Sequence, residues 1–398
     1  MNKKWARVPL VPIVLVVSMA GLAAVPAGAS LPIVTGKFSW APEAMGIDHQ
    51  ITLSEALADA SSFDVIMANR RTYAPHVGAM KEANPRLVLF VYHNGAFANR
   101  LQGTAYPESW YARNTAGQKI KSLNYGNYLM DISHPDWVRS RGDDCASLLA
   151  LTGYDGCAID MLGTAPLGAG YLTSLPVNPR TGRVWTEPDW VVATANIATV
   201  VKRAVTPAKV MANGLRSGPY YFAPAGPSKL LLATIDGGMA EGFIRAAYQP
   251  VDEFRSEEDW KQDVDMLVDV ESSGKSVFAL AKVWTTATDA AKAKLHKFAF
   301  ASFLLGTSGR SRFYFSGDPL DMAVAHPAWQ ASLGSPSGPY TNIGGVYQRT
   351  FSTGKVLVNP SEEGRWVSLG RQYRDEAGTL RTALWLGPNS GEVLTLPT

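Results

Sequence analysis

The chain has 398 residues, 46% hydrophobic and 18% charged, enough for one large globular domain and a smaller one, and not the composition of a disordered chain. The formal net charge is +3, but Lys3, Lys4 and Arg7 fall in the first 29 residues, which hold no acid. The remainder is balanced at 34 basic and 34 acidic residues, which excludes a basic stripe for nucleic acid or anionic lipid.

Residues 1–29 read as an export signal rather than as part of the fold. A basic start leads into an apolar run from Val11 to Leu22, and Ala27-Gly28-Ala29 fits the small-x-small cleavage pattern. The expected mature chain begins at Ser30 and is secreted, with no membrane association after cleavage. The apolar run is short and interrupted by Pro9, Pro12 and Pro26, which suits a signal better than a membrane span.

From Ser30 to about Leu333, strands and helices alternate. Ile33–Trp40, Phe63–Asn69, Arg86–His93, Asp155–Asp160, Lys209–Gly214, Leu230–Asp236, Ser276–Val283 and Ser311–Phe315 read as eight strands. Most are continuous apolar runs, as expected of parallel strands covered on both faces. Amphipathic segments lie between them at Leu53–Ser61, Val77–Ala83, Asp136–Leu149, Asp189–Ala204, Glu257–Ser273 and Asp289–Leu305. Thr52 with Glu55 three positions later is a capping signal. The pattern predicts an α/β fold, a (β/α)8 TIM barrel over residues 30–338. A doubly wound open sheet is the competing fold, but Gly36-Lys37-Phe38-Ser39-Trp40 is not a phosphate-binding turn.

Ser335-Pro336-Ser337-Gly338-Pro339 then reads as a linker. Beyond it, runs at Gly345–Phe351, Gly354–Asn359, Arg365–Gly370 and Thr379–Leu386 predict a small antiparallel β-domain over 339–398. Two long loops, after strands three and four, carry Tyr106, Trp110, Tyr111, Tyr125, Tyr128, Tyr171 and Trp185. They leave the strand ends where barrel enzymes keep their sites.

Candidate site residues follow from the strand ends. In Tyr154-Asp155-Gly156-Cys157-Ala158-Ile159-Asp160 an apolar strand terminates in an acid, whose burial is costly unless it is paired or used. Asp160 shares a face with small Ala158 and points up the barrel axis. Asp155, at the other end, reads as a turn or helix-end contact. In Asp236-Gly237-Gly238-Met239-Ala240-Glu241 the apolar neighbours of Glu241 suit a general acid, and Asp236 reads as a positioning residue. Asp131 reads either as a helix-entry cap or as a contact to a sugar hydroxyl. Asn213, Tyr92 with His93 and Asn94, and Trp40 end strands five, three and one, and are candidate substrate contacts.

The six His show no metal-ligand spacing, and no nucleophile elbow or phosphate loop is present. No metal or cofactor is expected, and carboxylates remain as the chemistry. A deacetylase or esterase would need a metal triad or an activated serine. The two cysteines, Cys145 and Cys157, sit on a predicted helix and the following strand, and geometry decides whether they pair.

The segments Tyr128-Leu129-Met130-Asp131-Ile132, Tyr154 to Asp160 and Asp236 to Glu241 resemble the glycoside hydrolase-like family 15. So do Val346-Tyr347-Gln348-Arg349-Thr350-Phe351 and Gly354-Lys355-Val356-Leu357-Val358-Asn359-Pro360. That family looks related to endo-α-1,4-polygalactosaminidase and α-galactosidase-like barrels. The resemblance implies a barrel with a C-terminal β-domain and catalysis by acids at strand ends four and six, here Asp160 and Glu241. The chain departs from the expected pattern at Asp160-Met161-Leu162, where no polar residue follows the acid. The resulting reading is a secreted glycoside hydrolase acting on a poly- or oligosaccharide. Asp160 would be the nucleophile or charge stabiliser, kept ionised by polar neighbours, and Glu241 the acid/base with the higher pKa. The alternative is a non-catalytic carbohydrate-binding protein on a decayed barrel.

Overall fold

The computed structural model describes residues 50–98, 106–318 and 332–397, and the backbone of 33–34 and 40–42. Eight strands form its central sheet: β1 (Trp40–Pro42), β2 (Val65–Ala68), β3 (Val88–Asn94), β4 (Gly156–Asp160), β5 (Lys209–Asn213), β6 (Gly237–Ala240), β7 (Ser276–Lys282) and β8 (Arg312–Ser316). They bond in chain order, each pair parallel, and β8 returns beside β1. Helices α1 (Leu53–Ser62), α2 (Val77–Ala83), α3 (Pro135–Thr152), α4 (Glu187–Val205), the single turn α5 (Gly218–Tyr221), α6 (Glu257–Ser272) and α7 (Asp289–Gly306) alternate with the strands. This is a (β/α)8 barrel, and Phe90 of β3 meets Phe278 of β7 edge to face in its core, 5.8 Å between ring centres.

Local signals explain the helix starts. Thr52 Oγ1 accepts from Glu55 N while the Glu55 carboxylate accepts from Thr52 N at 2.8 Å, the reciprocal cap expected from the sequence. α3 has Pro135 in its first turn, and its N-cap is His134, whose Nδ1 accepts from Asp136 N at 3.2 Å.

Two strand assignments need correction. Ile33–Val34 pairs antiparallel with Ser332–Gly334, so the barrel strand begins at Trp40 instead of ending there. The apolar run at Leu230 is not a strand either. Residues Ser228–Leu232 form a 3-10 turn whose Leu231 and Leu232 pack into the core, and the sheet takes Gly237–Ala240. Gly237 and Gly238 read as a bend because glycine usually marks one. Here they are in the strand because neighbours leave no room for a side chain. A Cβ on Gly237 would stand 2.6 Å from the Ser276 carbonyl oxygen, and one on Gly238 2.8 Å from Leu215.

Cys145 of α3 and Cys157 of β4 form a disulfide, Cα to Cα 6.3 Å, both residues fully buried. It ties the helix to the strand that ends in Asp160. Replacing both cysteines by alanine should cost about 3 kcal/mol, read as a lower urea midpoint that the native protein reproduces under reduction.

A six-stranded antiparallel sheet follows: β9 (Thr341–Ile343), β10 (Val346–Phe351), β11 (Gly354–Asn359), β12 (Arg365–Arg374), β13 (Leu380–Leu386) and β14 (Ser390–Thr395), in the order β9-β10-β11-β14-β12-β13. Ser390–Thr395, absent from the sequence reading, is an inner strand of it. The sheet docks on α6 and α7. Tyr347 Oη donates to Glu257 Oε1 at 2.7 Å, and Arg349 Nη1 donates to the carbonyls of Leu305 (2.9 Å) and Thr307 (2.5 Å) at the end of α7. A guanidinium there satisfies carbonyls that the helix leaves open and meets the negative end of its dipole. The linker-like stretch is held as well, since Ser337 N donates to the Thr350 carbonyl at 2.9 Å.

Candidate active site

The C-terminal ends of β3 to β7 converge on one group of polar side chains. Asp160 ends β4, Asn213 ends β5, Glu241 follows β6 and Lys282 ends β7. Asn213 Nδ2 donates to Asp160 Oδ1 at 2.8 Å and to Glu241 Oε1 at 3.1 Å. One nitrogen therefore bridges two carboxylates, and these two oxygens can be no farther apart than the sum of its two bonds.

Asp160 is held by three donors. Besides Asn213, Oδ1 accepts from Met161 N at 2.8 Å and Oδ2 accepts from Tyr92 Oη at 2.8 Å. Asn94 Nδ2 in turn donates to Tyr92 Oη at 3.2 Å. Met161 explains the apolar departure after the acid. Its backbone is left-handed, with φ of 61°, and its N–H donates to the preceding carboxylate. Non-glycine residues are strained there, and such strain gathers at functional sites. Glu241 Oε2 receives Lys282 Nζ at 3.2 Å, and that ammonium also lies 4.4 Å from the centre of the Trp284 ring.

Burial, then repulsion from Glu241, pushes the Asp160 carboxyl above its ordinary value, against the pull of Tyr92, Asn213 and Met161 N. Those three donors act in the direction expected of polar neighbours, and burial outweighs them. The Tyr92 phenol is raised well above its usual range, first by burial and then by the Asp160 charge, so it stays a donor.

The two long loops close over this end of the barrel. Leu123 N donates to the Tyr171 carbonyl and Thr173 N to the Lys121 carbonyl, both at 2.9 Å, which zips the β3–β4 loop to the loop after β4. Tyr125 and Tyr171 feel the charges of both Asp160 and Glu241, and burial is the larger cause of the upward shift of each phenol. Tyr248, 70% exposed, packs on Trp284 at the rim.

Two of the other expected site residues lie at the opposite end of the barrel, and the rest make structural contacts. Asp236 immediately precedes β6 and sits at the opposite, N-terminal end of the barrel. Its Oδ2 accepts from Val210 N and from Lys202 Nζ, each at 2.8 Å. Asp155 repeats the device before β4, accepting from Leu89 N at 2.7 Å and from Lys81. Both acids are tethers between a strand start and the lysine of a neighbouring helix. Asp236 was read as a site residue because its strand was placed one step too early. Trp40 also falls at the N-terminal end, in register with Val65 at the start of β2, and its side chain lies outside the described residues. Asp131 Oδ1 accepts from Ser133 N at 3.0 Å and Ser133 Oγ at 2.7 Å, which shapes the entry to α3. His93 points away from Asp160. It is buried beside Arg141 of α3, and its ring is held neutral by burial.

The sequence reading missed Lys282. Its signal was the one that found Asp160, a charged residue ending a buried strand, in Ser276-Val277-Phe278-Ala279-Leu280-Ala281-Lys282.

A closed parallel (β/α)8 barrel is the fold of the TIM-barrel glycosidases. Two solved structures share the fold. An α-amylase from Anoxybacillus, described as a new glycosyl hydrolase subclass, superposes with a TM-score of 0.50 at 12% identity, covering 87% of this chain and 89% of its own. A noncanonic maltogenic α-amylase, AmyB from Thermotoga neapolitana, gives 0.51 at 9% identity, covering 92% and 99%. No curated protein matches by sequence. Residues 81–355 match the hypothetical glycosyl hydrolase family 15, and the chain belongs to that family.

Proposed function

We propose that the protein is a retaining glycoside hydrolase acting on a poly- or oligosaccharide outside the cell. The observation that carries this is the Asn213 bridge. It holds one oxygen of Asp160 and one of Glu241 closer than the ~6.5 Å at which the separation typical of inverting enzymes begins, which favours the retaining arrangement. Asp160, fixed by three donors, is the nucleophile. It attacks the anomeric carbon, the glycosidic C–O bond breaks, and the leaving oxygen takes a proton from Glu241. Water then attacks the glycosyl–Asp160 ester, gives its proton to Glu241, and releases the sugar with its original configuration.

The test is product analysis. Proton NMR of the first-formed product, from a panel of α- and β-linked glycans, should show the anomer of the substrate. The opposite anomer would remove the retaining mechanism.

One observation favours a second reading, sugar binding without hydrolysis. The Lys282 ammonium pairs with Glu241 at 3.2 Å, so the group that would have to donate a proton to the leaving oxygen is already engaged as a carboxylate by a cation. Binding to a glycan with no turnover anywhere on the panel would decide for that reading.

Export is part of the proposal. The basic start, apolar run and Ala27-Gly28-Ala29 support it, and the disulfide suits an oxidising compartment. Sequencing the amino terminus of protein from the culture medium should read from Ser30. An intact start retained in membranes would count against export.

A further inference from the structure

On the outer face of the C-terminal sheet, Trp366 of β12 and Trp385 of β13 stand directly opposite each other in register. Their ring centres are 5.9 Å apart with the planes inclined at 63°. They are 74% and 54% exposed, whereas Trp137, Trp190 and Trp260 are buried in the barrel layers. Packing of the sheet does not account for them, because its inner face is supplied by Val367, Leu369 and Leu386. The Trp385 ring is nevertheless fixed. It lies 2.1 Å from where a Cβ of Gly364 would stand, so only glycine lets the ring rest on that backbone.

Beside the rings, Ala383 lines a cleft of about 640 Å3 that reaches α7 of the barrel. The rest of the cleft is lined largely by charged side chains. Lys297 of α7 joins Glu392 at 2.7 Å and Glu376 at 3.2 Å, and Arg381 joins Asp375 at 3.0 Å. The second carboxylate oxygen of Glu392 is buried and finds no hydrogen-bond partner among the described residues.

Indole faces beside fixed polar groups, in a concavity of small-ligand size, match the chemistry of a sugar. Its C–H face stacks on a ring while its hydroxyls reach the charged groups. A protein partner fits less well, since the centres of protein interfaces are depleted of Lys, Asp and Glu, which line this cleft. The carboxylates of Asp375, Glu376 and Glu392 outnumber the cations of Lys297 and Arg381, which disfavours an anionic polymer.

We propose that this cleft is a second carbohydrate-binding site, taking a neutral or amine-bearing glycan and sharing no residue with the barrel mouth. It rests on the glycan reading of the protein for its class of ligand, but not on catalysis. The test is native electrophoresis through gels containing soluble starch, dextran, polygalactosamine or polygalacturonate, using the full chain with Asp160→Asn so that no polymer is cut. Retardation is expected in at least one of the first three and not in polygalacturonate. Adding Trp366→Ala and Trp385→Ala should weaken it at least about tenfold, with circular dichroism and melting unchanged. Retardation that survives both replacements, or none in any gel, overturns the proposal. A dimer in light scattering that the two replacements dissolve would overturn it in favour of self-association. Turnover by the chain with Asp160 intact is measured separately. Retardation without turnover leaves the cleft standing and removes the catalytic reading, and turnover without retardation does the reverse.

Discussion

Asp160→Asn should abolish turnover and leave a protein that is more stable at neutral pH. The amide keeps the shape of the carboxyl, and its oxygen can still accept from Met161 N and Asn213 Nδ2. It cannot attack an anomeric carbon, so the rate should fall on the order of 10^4-fold or more, as when a residue of a cooperating catalytic set is removed. Glu241→Gln should lose activity on a similar scale. The stability effect has a sign set by linkage. Burial and Glu241 raise the folded Asp160 carboxyl above 3.8. Its contribution to stability is therefore fully present below the unfolded value and is lost as pH rises through the folded one. The asparagine variant has no such loss. Its advantage over the wild type should grow as pH rises above 3.8, reaching about 0.5–2 kcal/mol, the usual scale for relieving an active-site residue. Urea midpoints at rising pH check this. A variant less stable at pH 8 than at pH 4, relative to wild type, would contradict the burial of a repelled charge.

Asp263→Ala should be the most destabilising single change in the barrel, at about 3–5 kcal/mol. Asp263 of α6 is fully buried and ties together the segments that follow β5 and β6. Its Oδ1 accepts from Gly218 N at 2.6 Å, its Oδ2 accepts from Ile244 N at 2.9 Å, and Arg255 pairs with it. Arg255 Nη2 also donates to the Gly242 carbonyl at 2.7 Å, one residue past Glu241. Ile244 has φ of 58°, which is unfavourable for a β-branched residue, and the Asp263 bond helps hold it there. Removing the carboxylate leaves a mostly buried guanidinium and two backbone N–H groups without their partner. Because Glu241 is anchored from this side, kcat should fall with stability. A urea midpoint within about 0.5 kcal/mol of wild type would refute the role.

Much of the fold was legible because it rests on local periodicity and capping. Apolar runs bounded by turn residues located β2 to β5, β7 and β8 to within about two residues, the scatter usual for element ends. The helix starts followed from Thr52 with Glu55 and from Pro135. The errors at β1 and β6 share one cause. Leu230–Ile235 is apolar and extended-looking, and Gly237-Gly238 looks like a turn. Whether a leucine run or a glycine pair enters a sheet depends on the space left by Ser276 and Leu215, which lie far away in the chain. That one shift carried Asp236 to the wrong end of the barrel.

At the site, the sequence by itself picked out Asp160, Glu241, Asn213 and Tyr92, because a charged or amide group ending a buried strand is costly without a partner. The tertiary structure decided what those groups do to one another. Only folding brings residues 160, 213, 241 and 282 within hydrogen-bond reach, through side chains on four different strand ends. The pairing of Cys145 with Cys157, the tethering role of Asp155 and Asp236, and the exposure of Trp366 and Trp385 are of the same kind. Each depends on distances between segments remote in sequence. Composition and periodicity fix which face of an element is apolar, but not which neighbour that element meets.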